Sequence, residues 1–299
     1  VTLVDCVIQG NIRNYGTGEV RFEAPQITPE STATKPSEVY KPGATLDRTL
    51  EYGGKTVPIY RDRPLNVFSD VDFIWTGEEN ENQRRLEYLG GEFRTRYGID
   101  VSSFQGEIDW DAVADDNIDF AMVRVGFRGT GTGSLNTDKY YEQNIRGAMR
   151  AGLETGVYFF AQAVTVEEAI EEADYVISLL DGLDINGPVA YDWEMHDSTY
   201  RVYGTSPEMA TACAVAFCER IKDAGYTPMV YGGTYVTYMK YDQGALADYL
   251  SWYPEYKSEK SEKLCPTLVY HMDYWQFSSS RAVAGINGRV DMNIQFIRR

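Results

Sequence analysis

The chain has 299 residues, with 28 Lys and Arg against 45 Asp and Glu, a formal net charge of −17 at pH 7. That balance excludes nucleic acid as an expected partner, since phosphate binding needs a basic face, and 13% aromatic residues supply a core that charge-driven disorder lacks. No apolar run approaches the ~18 residues of a membrane-spanning helix, and no basic-then-apolar signal peptide follows Val1.

Taken in chain order, the first part is irregular. Short strand-like pieces are expected at residues 2–8, 20–22, 56–60 and 71–75. Between them, Pro25, Pro29, Pro36 and Pro42 mark 24–43 as loop or extended linker, because proline fixes φ and lacks a donor N–H. The charged run 78–89, closed by Gly90-Gly91, predicts a helix. From residue 98 the pattern becomes regular. Strands are expected at 99–101, 120–125, 157–160, 189–193, 229–231, 249–253, 268–276 and 290–296. Helices are expected at 110–116, 139–151, 166–180, 207–224 and 235–240. Apolar strands alternating with amphipathic helices indicate a parallel sheet covered by helices, and eight strands in this length fit a closed barrel. The fold expectation is therefore α/β: a modified TIM-like (β/α) barrel with fewer helices after the fifth strand, preceded by a small, mostly β region. The domains are 1–97, an accessory region of unknown role, and 98–299, the barrel. The acidity follows the same division, net −3 in the first part and −14 in the second. Cys6, Cys213, Cys218 and Cys265 lack zinc-site spacing and read as buried thiols.

In such a barrel, chemistry collects at the C-terminal strand ends. Reading those ends selects four carboxylates. Asp192 and Glu194 lie two apart on the fourth strand, so both point to one face about 6.5–7 Å apart. Like charges that close push one pKa upward, and a protonated Glu then serves as a general acid. Asp100, after the first strand begins, and Asp291, on the eighth, complete the set, although each alone also fits a turn residue. Aromatic residues on or just after strands offer flat partners for sugar rings: Tyr158, Phe160, Tyr191, Tyr231, Trp252, Tyr256 and Trp275. His196 and His271 are the only histidines, with no Ser–His spacing for a triad, and neither a metal nor a cofactor is expected. The glycine-rich run 126–133 lacks the Lys-Ser/Thr ending of a phosphate loop and is expected to form a mobile loop at the barrel mouth.

These residues resemble glycoside hydrolase family 25, the Chalaropsis-type lysozymes or N-acetylmuramidases. The likeness rests on Gly98-Ile-Asp-Val-Ser-Ser-Phe-Gln-Gly106 with Ile108-Asp-Trp110, Phe120-Ala-Met-Val-Arg124, Gly156-Val-Tyr-Phe-Phe160 and Asp192-Trp-Glu194. It continues through Trp252-Tyr-Pro-Glu-Tyr256, Tyr274-Trp-Gln276 and Gly285-Ile-Asn-Gly-Arg-Val-Asp291. It covers 98–299 and leaves 1–97 outside. The resemblance implies cleavage of the β-1,4 bond between N-acetylmuramic acid and N-acetylglucosamine in peptidoglycan. It makes Glu194 the general acid and Asp192 a nucleophile or a group orienting the substrate's acetamido group. Asp100 and Asp291 become supporting carboxylates, and Arg124 and Gln276 join the aromatics as substrate contacts. A secreted or wall-associated monomer follows from the same resemblance. Phe159 stands where the family's third-strand motif often has His. Two other readings fit the residues: a wall-glycan-binding module without activity, and a chitinase-like glycosidase on a similar barrel.

Overall fold

A computed structural model describes residues 33–43, 45–77 and 84–299, together with the backbone of two short strands, Arg13–Asn14 and Val20–Arg21. The chain forms two compact units, residues 1–33 and 34–299. In the first, the two short strands pair antiparallel. The expected strand at 2–8 and Cys6 lie outside the described residues.

The second unit is built on an eight-stranded closed barrel. Its strands are β1 (Phe93–Val101), β2 (Phe120–Arg128), β3 (Glu154–Ala161), β4 (Val189–Trp193), β5 (Pro228–Tyr231), β6 (Leu250–Pro254), β7 (Tyr274–Arg281) and β8 (Val290–Arg298). Each pairs with the next, β8 pairs with β1, and the β2–β3 pairing completes the ring. The helices of the barrel are α1 (Trp110–Asp115), α2 (Tyr141–Arg150), α3 (Val166–Leu179), α4 (Pro207–Asp223) and α5 (Thr234–Met239), and a further one-turn helix, Pro36–Val39, forms within the stretch expected to be loop or extended linker. No helix follows β6 or β7 among the described residues, as the thinning helical pattern predicts. No described helix is long and apolar enough to cross a membrane.

Two alternating faces explain the strand sequences. Outward residues such as Val189, Tyr191, Trp193, Phe159 and Trp275 join one large core beneath the helices. Inward residues form a second cluster of Phe120, Met122, Ala190, Met229, Tyr231, Trp252 and Tyr274, which fills the barrel. Burying each such apolar side chain contributes about 1.5–3 kcal/mol. Gly98 is required by this filling: a Cβ there would lie 2.3 Å from the Phe120 ring.

One departure from an all-parallel barrel decides where the acids meet. β8 runs antiparallel to both β7 and β1. Only residues 282–289 join β7 to β8, too short for the dozen-residue crossover that a parallel pair needs. β7 also begins later than expected, at Tyr274 instead of 268, and continues to Arg281.

Residues 34–97 contain two β-hairpins. Leu46–Tyr52 pairs with Lys55–Tyr60 across Gly53 and Gly54, both at positive φ (56° and 74°), the conformation a two-residue hairpin turn demands. Phe73–Thr76 pairs with Arg85–Tyr88. This corrects the helix expected at 78–89: over its described part, Leu86 is fully buried while Arg85 and Glu87 bond sideways, a strand's period of two. Val57, Ile59, Phe73 and Leu86 belong to the outer core of the barrel itself. The glycine run is the turn of a hairpin: β2 continues to Arg128 and pairs back with Leu135–Thr137, with Arg128 donating to the Gly133 carbonyl at 2.8 Å. Cys213, Cys218 and Cys265 are buried free thiols.

Candidate active site

The site begins on β4, whose five residues are all buried. Trp193 points outward, wholly buried, and its indole N–H donates to the Ala163 carbonyl at 3.0 Å. With Trp193 locked behind the sheet, Asp192 before it and Glu194 after it turn to the opposite, inner side. The Glu194 carbonyl is held in turn by the buried Gln162 side chain, whose amide donates to it at 2.8 Å.

The second pair of acids comes from β1 and β8. Because β8 is reversed, Asp291 sits at its start, directly across from Asp100. The Gln276 amide donates to both, at 2.8 Å to Asp100 and 3.1 Å to Asp291. Asn293 donates to the same Asp100 oxygen at 2.8 Å and accepts from the Trp252 indole at 2.8 Å. The Gln276 carbonyl accepts from the hydroxyls of Tyr231 at 3.1 Å and Tyr256 at 3.2 Å. Gln276 and Asn293 thus tie five surrounding side chains into one network, and neither amide is free at its principal polar atoms.

Charge crowding sets the protonation of these groups. Burial, then the charge of Glu194 and a side-chain contact with it, holds Asp192 well above the ordinary carboxylate range. Asp192 Oδ1 is buried without a hydrogen-bond partner. Burial pushes Asp100 up to about 6 against the donations of Asn293 and Gln276, and the charge of Glu194 adds to the rise. Asp291 is pushed up to about 8 by burial, then by the charges of Asp100 and Glu194. The four acids therefore form two touching pairs, Asp192–Glu194 and Asp100–Asp291, and in each pair burial and like charge favour the protonated form of an aspartate.

Beside Glu194 opens a cavity of about 630 Å³, lined by Glu194, Met195, His196, Tyr203, Tyr231, Tyr235, Tyr256 and neighbouring residues. Tyr203, Tyr235 and Tyr256 are about half exposed on its rim. Tyr158 and Phe160 lie on the inner face of β3, with Phe160 in register with Asp192 and the Tyr158 ring 5.8 Å from that of Trp252. Trp252 itself is buried below the acids. Arg124 reaches the mouth from β2, paired with the buried Asp138 at 2.8 Å and 5.1 Å from the ring of the exposed Phe104.

Two expected contacts lie elsewhere. Tyr191 and Trp275 occupy outward positions of β4 and β7, fully buried, Tyr191 against Phe217 and Trp275 against Phe73. Strand alternation places them behind the sheet, since each neighbours an inward acid or amide in sequence. Phe159 is outward too, against Tyr175, so the position that departs from the family motif does not face the site. Sequence reasoning missed Asn293, Gln162, Tyr203 and Tyr235. Asn293 had a usable signal: it stands two residues after Asp291, the same i, i+2 relation that links Asp192 to Glu194.

A closed barrel with paired acids at the mouth and an aromatic-rimmed cleft is the architecture of two-carboxylate glycosidases. The sequence places the chain more narrowly. It belongs to the glycosyl hydrolases family 25, whose model matches residues 99–286. It is 26% identical over 197 residues to the autolytic lysozyme of Clostridium acetobutylicum, covering 66% of this chain and 54% of that protein; the chain thus spans about half the length of this relative. Among solved structures it is similar to the spore cortex lytic enzyme SleM of Clostridium perfringens, with a TM-score of 0.58, 22% identity and 67% of each chain covered. It is also similar to the bacterial lysozyme from Streptomyces coelicolor, with a TM-score of 0.53 and 25% identity over 66% of this chain and 90% of that one.

Proposed function

We propose that this chain is a muramidase that cleaves the β-1,4 bond between N-acetylmuramic acid and N-acetylglucosamine in peptidoglycan, acting outside the cell or on the wall and lysing bacteria. The observation that carries the reading is the pairing of Asp192 with Glu194 at the barrel mouth, in a chain of this family. Glu194 borders the open cleft and is assigned as the general acid for the leaving oxygen. Asp192, with one buried oxygen unpartnered, acts on the anomeric carbon or on the acetamido group beside it. Asp100 and Asp291 shape the field around the sugar at the cleaved bond. Tyr158, Phe160, Tyr231, Tyr256 and Arg124 line the path of the glycan, with Trp252 and Gln276 holding the floor. On this reading 98–299 carry the catalytic barrel, whose first strand begins at Phe93, and 1–97 are an accessory region, of which the hairpins at 46–60 and 73–88 pack on the outer core of the barrel.

Digestion of purified peptidoglycan followed by mass spectrometry tests the bond. Fragments ending in reducing muramic acid are expected, and Glu194→Gln should abolish their release while the fold survives. Fragments ending in reducing glucosamine, equal cleavage of chitin oligomers, or near-normal turnover by Glu194→Gln would overturn the reading. The anomer formed first, followed by NMR, distinguishes retention from inversion.

A further inference from the structure

The motif ends at Glu194, yet a polar partner of that carboxyl lies just beyond it. His196 Nε2 is 2.7 Å from Glu194 Oε2. The carboxyl therefore has a neighbour on each side, Asp192 within the barrel and His196 toward solvent. Arg124 and Arg201, which also approach this region, are committed elsewhere: Arg124 to Asp138 and Ser103, Arg201 to Glu168 and the Gln162 carbonyl.

His196 is exposed, with 63% of its side chain accessible, but the loop that carries it is pinned. Asp197 accepts from the Thr199 amide at 2.7 Å and the Thr199 hydroxyl at 2.6 Å, a side-chain turn that fixes the backbone one residue after His196. Four residues further, the Arg201 amide donates to the Thr130 carbonyl at 2.9 Å, and its guanidinium grips both oxygens of Glu168. The imidazole edge rests on Tyr200, with ring centroids 5.4 Å apart. An exposed ring on a free loop would sample many rotamers. This one has a backbone anchor, a ring partner and a short polar contact.

We propose that His196 is a positioning residue for Glu194, fixing the orientation of the acid's carboxyl at the cleft and exchanging a proton with it between steps of the reaction. This rests on the assignment of Glu194 as the general acid. A general acid must stay within hydrogen-bond reach of the leaving oxygen, and misplacement by about 1 Å costs on the order of 100-fold. Imidazole is suited to the second task because its ring nitrogens can both accept and donate a proton. The charged and titratable groups that face this pair are Asp192, Asp100 and Asp291 through Glu194, Asp197 and Tyr200 from the loop itself, and Tyr231 and Tyr256 across the cavity.

The experiment compares wild type, His196→Ala, His196→Gln and Glu194→Gln on soluble peptidoglycan fragments, with kcat and KM measured across pH 4–9. His196→Ala should lower kcat by about 10- to 100-fold and leave KM within about twofold, because the acid, not the sugar contacts, is disturbed. Gln keeps an N–H that reaches Glu194 but does not titrate. His196→Gln should therefore restore most of kcat at the optimum while one ionisation drops out of the profile. Wild-type kcat and an unchanged profile in His196→Ala would overturn the proposal, as would a loss confined to KM. Substantial turnover by Glu194→Gln would instead overturn the assignment of the acid itself, so the two failures are distinguishable.

Discussion

Two clusters of carboxyl groups on the barrel, one on its flank and one at its mouth, are built on opposite terms. On the flank of the barrel, acids meet arginines. Glu168 is held by both terminal nitrogens of Arg201, at 2.7 and 2.9 Å. There burial pushes upward, but Arg201 and the Val164 amide outweigh it, and the carboxyl ends below its ordinary value. Arg128, itself almost fully buried, contacts Glu171, Glu172 and two backbone carbonyls. Glu172 shows the cost of such burial: desolvation pushes it up to about 7 despite an amide donor and Arg128. At the mouth, acids meet acids. Asp100, Asp192 and Asp291 receive amide donors or nothing, and all three are held above the carboxylate range. The flank spends its arginines on holding helix α3 and the hairpin after β2 to the barrel. The mouth is left with acids crowded against one another and held toward the protonated form, an arrangement that weakens the fold and suits proton transfer.

The largest expected effects come from exchanging these terms. Asp192→Asn should lower the rate of wall hydrolysis roughly a thousandfold, the scale of a lost acid–base or charge-stabilising group, while Tm stays level or rises, since a crowded charge is removed. Arg128→Met should do the reverse. It strands the buried Glu172 and two carbonyls and frees the exposed Glu171, at a cost of about 3–5 kcal/mol in stability, while kcat of the folded fraction changes little. Chemical denaturation and hydrolysis assays on both variants check the contrast. A catalytic collapse in Arg128→Met with full stability would dissolve the distinction between flank and mouth.

The next effect is a slope against pH. Asp291 is raised to about 8 and Asp100 to about 6 in the folded chain, from an ordinary value of 3.8. The folded state therefore binds more protons than the unfolded chain above pH 4. Stability should fall as pH climbs from about 4 to about 8, then level off. Asn at position 291 cannot ionise, so Asp291→Asn should flatten this slope. Its Tm should exceed that of wild type most clearly at pH 8 and converge with it near pH 4. Parallel melting curves for the two proteins across that window would show that Asp291 is not crowded as described.

The barrel was legible because its signals are local. The apolar periods of β4 and α4 mark both elements, and the spacing of Asp192 and Glu194 places both on one face. What was hidden depends on pairing across the sheet. With the seventh strand expected to end at 276, the link to residue 290 left room for a crossover; the strand in fact runs to Arg281, and the short link that remains turns β8 back and sets Asp291 opposite Asp100. Tyr191 and Trp275 read as cleft aromatics by their place in the strands, but alternation buries them behind it. The run 78–89 reads as a charged helix, yet the residues at 85–88 pair with Phe73–Thr76. The compensation for their polarity comes from partners distant in sequence, such as Asp116 for Arg85.

The smallest expected effect tests how Gln276 is kept in order between Asp100 and Asp291. Gln276 can serve Asp100 and Asp291 only while its N–H₂ faces them, and what fixes that orientation is the pair of tyrosine hydroxyls on its carbonyl. Either hydroxyl alone suffices to mark the oxygen end. Tyr256→Phe, at a half-exposed residue, should cost about 0.5–1 kcal/mol and only a few-fold in kcat/KM, and Tyr231→Phe somewhat more. With both removed, the amide is free to turn its oxygen toward the acids, where a carboxylate is repelled and a protonated acid is welcomed. The double variant should therefore lose more than the sum of the single losses, a coupling that a double-mutant cycle reads directly, and its acidic pH limb should move upward. Strict additivity would mean that Gln276 is held by the barrel backbone and that the tyrosines serve the substrate alone.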